Sequence, residues 1–66
     1  MSYRRISLDG RLFRVRDALS SGPGEPIHTY VISYYGSEGT VMRFGAEWFL
    51  TSGRCDRRQV EVSDAV

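Results

Sequence analysis

Apolar residues in this chain recur at every second position almost from end to end, and no window of a dozen residues carries the i, i+3, i+4, i+7 spacing of an amphipathic helix. A period of two belongs to strands, whose successive side chains point to opposite faces. The chain therefore reads as all-β. What remains is where the strands turn and which face of each is buried.

The clearest turn is Asp9-Gly10, between residues 3–8 and 11–17. A two-residue type I′ loop needs positive φ at both central positions, which Asp tolerates and Gly adopts freely, and its twist matches that of the flanking strands. Such a loop pairs Leu8 with Arg11, Ile6 with Phe13 and Arg4 with Val15. Directly paired side chains share a face, so Ile6, Leu8, Phe13 and Val15 form one side and Tyr3, Arg5, Leu12, Arg14 and Arg16 the other. The first set is expected to face the core. Arg5, Arg14 and Arg16 then project outward as a basic ladder beside Tyr3.

Residues 20–26, Ser-Ser-Gly-Pro-Gly-Glu-Pro, combine restricted Pro with permissive Gly and read as a surface loop. They are not a phosphate cradle, because Ile27 stands where the third glycine of G-x-G-x-x-G belongs and no Lys follows. Residues 27–35 are rich in β-branched and aromatic side chains and form the expected central strand. Gly36-Ser37-Glu38-Gly39 is expected to connect it to residues 40–44, pairing Tyr35 with Thr40 and Val31 with Phe44. One face of this second hairpin holds Val31, Ser33, Tyr35, Met42 and Phe44. The opposite face holds His28, Tyr30, Ile32, Tyr34, Val41 and Arg43, and neither face is polar.

Gly45 is expected at a bulge or bend. Residues 46–51 fit either a strand or a single helical turn, 54–58 read as a polar turn, 59–62 as a last strand, and 63–66 as a flexible tail. The expectation is one domain over residues 1–62: a five- or six-stranded antiparallel meander, or a small SH3-like or OB-like barrel.

A chain of 66 residues has a thin core, and small domains are usually supplemented by disulfides, a structural metal or self-association. One Cys and one His exclude an internal disulfide and a Cys/His zinc site, and no cofactor is expected. Close packing or a homodimer is left. No apolar run approaches the ~20 residues that span a bilayer, and no export signal follows Arg4-Arg5. With its lone Cys55, the chain is expected in the cytoplasm and away from membranes.

Catalysis would have to rest on His28 and Cys55, with Asp56 as a third member. Cys55 sits between Arg54 and Asp56 in a polar stretch, unlike a sharp nucleophile elbow, and the carboxylates are spread singly along the chain. A non-enzyme is expected. Nine Arg against eight carboxylates leave a net charge of +1, too small for the field of an obligate nucleic-acid binder. Residues 1–17 nevertheless carry five Arg and two Asp, which makes that end the basic pole. The absence of Lys follows from coding bias as readily as from phosphate recognition.

Two functional expectations result. The first is an interaction module, an accessory factor or phage-type inhibitor, that docks on a partner protein through Tyr30, Ile32, Tyr34 and Arg43 and pairs with its own copy. The second is a nucleic-acid-binding barrel that places Arg5, Arg14 and Arg16 on phosphates with Tyr3 available for stacking.

Overall fold

The computed structural model describes residues 5–53 and 55–65, and all its regular structure is strand. In chain order these are β1 (Arg5–Leu8), β2 (Arg11–Ser20), β3 (Ile27–Tyr34), β4 (Ser37–Phe44), β5 (Glu47–Ser52), β6 (Cys55–Val60) and β7 (Val62–Ala65). Every pairing is antiparallel, in the spatial order β6-β5-β4-β3-β2-β1-β7. Each strand pairs with its successor until β6, so the connectivity is a meander and not the Greek key of an OB fold.

The two outer strands of that order are separated in sequence only by Glu61. They are two halves of one interrupted strand, the first on β5 and the second on β1, and through them the sheet curls into a nearly closed barrel. The β1–β7 ladder that closes it is reinforced at the hairpin tip. Asp9 N–H donates to the Glu61 carbonyl at 3.0 Å, Glu61 N–H donates to Asp9 Oδ1 at 2.9 Å, and Arg58 Nη1 lies 2.9 Å from Asp9 Oδ2. The tip of the first hairpin thus fastens the barrel. An interrupted strand shared by two neighbours removes the exposed edges that open sheets must protect.

The first hairpin follows the sequence closely. Asp9 and Gly10 have φ of 52° and 87°, the type I′ pattern, and Ile6 pairs with Phe13 as expected. The expected Arg4 pairing lies outside the described residues. The second hairpin differs: Tyr35 and Gly36 (φ 47° and 81°) make a second type I′ turn, and Val31 pairs with Thr40. Ser37-Glu38-Gly39 is strand, not loop. Tyr35 in the left-handed region is unusual for a side chain with a Cβ. Its ring meets those of Tyr34 and Phe13 at 4.8 and 5.5 Å, and its hydroxyl accepts from Arg11 at 3.1 Å, contacts that offset the backbone cost.

Three further expectations are corrected. Gly45 (φ 66°) opens a two-residue turn of type II′ form, since Phe44 pairs directly with Glu47. Of the two alternatives at 46–51 the strand is the one that forms, while residues 55–58 of the expected polar turn are the start of β6. Residues 63–65 of the expected tail lie in β7, with Ser63 opposite Ser7 and Ala65 opposite Arg5. Seven strands therefore replace five or six.

The core consists of Ile6, Leu8, Tyr30, Ile32, Val41, Leu50 and Val60, with Phe13, Val15, Ala18, Ile27, Tyr34, Trp48 and Val62 packed around it. Ile6, Ile32, Val41 and Leu50 are fully buried, each contributing roughly 1.5 to 3 kcal/mol of burial. Gly39 faces Ile32 across the β3–β4 ladder, where a Cβ would stand 3.0 Å from Tyr34 Cβ and 3.3 Å from Ile32 Cγ1. A glycine there lets β4 approach the core.

Candidate interaction surface

The face expected to dock a partner is largely the inside of the barrel. Tyr30 and Ile32 are 5% and 0% exposed, Tyr34 is half-buried against Phe13 at 5.2 Å, and Arg43 is half-buried opposite Trp48. Tyr30 also stacks on Trp48 at 5.5 Å. The reason is topological. This face lies over Val41, Leu50 and Val60, and a nearly closed barrel has one interior, which takes the side richest in large apolar groups.

The outward side of the same strands is the surface that remains. One row crosses five strands in register: Leu19 opposite Thr29, Thr29 opposite Met42, Met42 opposite Phe49, and Phe49 opposite Gln59. Leu19, Met42 and Phe44 are 45%, 42% and 50% exposed. Phe44 and Phe49 meet edge to face at 5.9 Å, and the Arg57 guanidinium lies over both rings at 5.0 and 4.6 Å. A weakly hydrated guanidinium on an aromatic pair extends the patch while keeping a charge at its border.

Thr29 lies in this row yet is only 6% exposed, flanked by the Leu19 and Met42 positions, with His28 Nδ1 2.8 Å from its Oγ1. The hydroxyl is satisfied locally, so the row presents an apolar surface from Leu19 to Phe49, ending in the polar Gln59. The next row holds Asp17, Val31, Thr40 and Thr51. Asp17 is exposed and accepts the Ala18 N–H at 2.9 Å.

A bulge places Arg16 between Val15 and Asp17, so two residues of β2 span what one spans on β3. Arg16 reaches across β3 to Glu38, 3.6 Å away, with both side chains more than half exposed. Arg5 and Arg14 are directly opposite each other and exposed, as the hairpin register requires. The basic ladder exists as two arginines in register and a third already facing an acid. Tyr3 lies outside the described residues, as do Arg54 and the Cys55 side chain.

The Asp9 carboxylate has a displaced titration. The Glu61 N–H and then the Arg58 guanidinium hold it below its ordinary value of 3.8. A shallow groove of about 310 Å³ runs beside β5 and β6, lined by Trp48, Val60, Val62, Glu47, Gln59 and Glu61 among others. Among the described residues, no three His, Cys, Asp or Glu side chains gather as a metal site would require, and no helix is long and apolar enough to cross a membrane. Sequence reasoning missed Leu19, Phe49 and Arg57 as surface residues, although Thr29, Ser33, Thr40 and Thr51 mark the outward side of β3 to β5. Comparison with known proteins finds no matching family model, no matching curated protein and no matching solved structure.

Proposed function

We propose that this protein is a non-enzymatic interaction module of the cytoplasm that acts by docking on another polypeptide, through the outward face of β2 to β6 and not the face inside the barrel. The observation that carries this reading is the outward apolar surface of Leu19, Met42 and Phe44, each 42–50% exposed, with Arg57 over the Phe44 and Phe49 rings. Contiguous apolar surface rimmed by charge is what soluble proteins keep for partners. Aromatic and Arg groups are the usual anchors of such faces.

The test is site-specific photo-crosslinking in the native host, with the reactive group at Phe44 or, as a control, at Leu12, which is 57% exposed but stands on the first hairpin. Phe44 should label a polypeptide and Leu12 should not, the adduct should survive nuclease and high salt, and Phe44→Ser should prevent capture by a neighbouring probe. Equal labelling at both positions refutes the reading.

A second reading has one observation behind it. Arg5 and Arg14 stand opposite each other on an exposed face, and like charges in register favour an anion between them. Replacing Arg5, Arg14 and Arg16 with Ser should then abolish a salt-sensitive nucleic-acid complex without unfolding the chain. A parent protein that binds no nucleic acid at low salt removes this alternative.

A further inference from the structure

We propose that the polypeptide docked on this face inserts a basic side chain, Arg or Lys, into the groove beside β5 and β6, between Glu47 and Glu61 and against Trp48. The proposal rests on the docking reading above and states the chemistry of the partner. It follows from how the barrel closes.

The β5–β6 ladder ends where Trp48 pairs with Val60, and the β1–β7 ladder begins where Val62 pairs with Leu8. Glu61 stands between the two, where the interrupted strand leaves one neighbour for the other. The groove of about 310 Å³ opens at that departure. Trp48, Val60 and Val62, all buried or half-buried, supply its apolar lining, and exposed Glu47, Gln59 and Glu61 supply its polar one.

The lining holds two carboxylates and, among the described residues, no cation. The described arginines of β6 have other contacts: Arg58 pairs with Asp9, and Arg57 lies over the Phe44 and Phe49 rings. Glu47 Oε2 accepts from Gln59 Nε2 at 3.1 Å, which steadies that carboxylate. Glu61 is fixed through its backbone, whose N–H and carbonyl both bond Asp9, while its carboxylate has no partner among the described residues. An indole and two carboxylates around an apolar floor suit a cation on an apolar stem, with the stem on Trp48 and the valines and the charged head at the wet rim.

A metal ion fits poorly, since no three ligating side chains gather among the described residues. The volume stands at the lower limit of small-molecule sites, ~300 to 1,000 Å³, and the groove is shallow, so it covers one side chain and not a whole ligand. It also adjoins the docking face. Glu47 is opposite Phe44, and Gln59 is opposite Phe49. A polypeptide lying on those two rings therefore reaches the groove within about two residues of extended chain.

Nuclear magnetic resonance titration of the full chain tests this, with acetyl-Leu-Arg-Leu-amide as the probe and its citrulline counterpart as the neutral control. The Arg peptide should shift the Trp48 indole N–H and the Glu47, Gln59 and Val62 amides saturably in the millimolar range, and the citrulline peptide should not. Glu61→Gln keeps the backbone bonds to Asp9 and should leave the circular dichroism spectrum unchanged. Combined with Glu47→Gln it should weaken the Arg peptide about tenfold, and ~0.5 M salt should weaken it likewise. Equal binding of the two peptides, a double variant that binds at parental strength, or groove signals unmoved at ~20 mM peptide each overturn the proposal. If those signals stay unmoved while a probe at Phe44 still captures a polypeptide, the docking reading survives and only the basic anchor fails. If the groove selects the Arg peptide while Phe44 and Leu12 label equally, the groove stands and the docking face is what fails.

Discussion

Replacing Asp9 tests whether a single carboxylate holds the barrel closed. Asp9→Ala removes the acceptor for the Glu61 N–H, worth about 1 kcal/mol, and the half-exposed pair with Arg58, worth about 0.5 to 1 kcal/mol. It also puts Ala, which tolerates the left-handed region less well than Asp, at φ 52°, at a cost of about 1 kcal/mol. The sum is about 2 to 3 kcal/mol, a large share of the ~3 to 5 kcal/mol available to a domain this small, and a fall in Tm of about 10 to 20 °C. Asp9→Asn keeps the turn preference and one acceptor oxygen, so it should lose only the ion pair. Urea titrations of the three proteins at pH 7 and at steps down to pH 3 give the assay. The carboxylate titrates lower in the folded chain than in the unfolded one, so its contribution is complete above the ordinary value of 3.8 and disappears as pH falls through the lowered one. The gap between parent and Asp9→Asn should accordingly be widest at pH 7 and narrow below about pH 4. A gap that stays constant across that range, or an Asp9→Ala protein as stable as the parent, refutes the latch.

Three other substitutions probe the fold at independent points. Gly10→Val puts a β-branched side chain at φ 87° and should lower stability by at least about 1 to 2 kcal/mol, measured by thermal melting. Gly39→Val drives a side chain into Tyr34 Cβ and Ile32 Cγ1 and should cost about 1 to 3 kcal/mol or more, while the same change at Gly53, where a Cβ meets nothing within 4 Å, should be far milder. Ile32→Ala should remove about 2 to 5 kcal/mol and leave the chain largely unfolded in a denaturant titration, which separates a core residue from the docking residue its sequence context suggests.

How much of this fold the sequence carries depends on how local each signal is. Asp9-Gly10 has the residue types a type I′ turn demands, and the register and both faces of the first hairpin follow from it. Tyr35-Gly36 has the same backbone, but Tyr is a poor indicator of positive φ. What holds it there, besides the adjacent Tyr34 ring, is non-local: the Phe13 ring and the Arg11 guanidinium, the farther of them 24 residues away. A four-residue loop was therefore the natural reading. β6 and β7 show only around their junction, where residues 59–62 read as one strand, for a related reason. Cys-Asp-Arg-Arg-Gln-Val and Val-Ser-Asp-Ala have little β character of their own, and they are strands because β5 and β1 offer unpaired edges on either side of Glu61.

The misplaced docking face has a different origin, and it shows where reasoning from alternation ends. Moving the β3–β4 pairing from Tyr35 opposite Thr40 to Tyr34 opposite Ser37 shifts it by an even number of residues, so every side chain keeps its companions. Tyr30, Ile32, Tyr34, Val41 and Arg43 do share a face, as the alternation requires. Alternation fixes membership but not sign, because two partly apolar faces are equivalent until closure decides which one is inside. Closure depends on the pairing of β7 with β1 and on the contacts of Asp9 with Glu61 and Arg58, the nearest of these partners 49 residues away, which no local pattern encodes. Once the barrel is closed, the larger aliphatic set takes the interior and Leu19, Met42, Phe44 and Phe49 are left outside. The exposed apolar face is thus a consequence of closure, and under the docking function proposed above a variant that opens the barrel should lose partner binding and stability together.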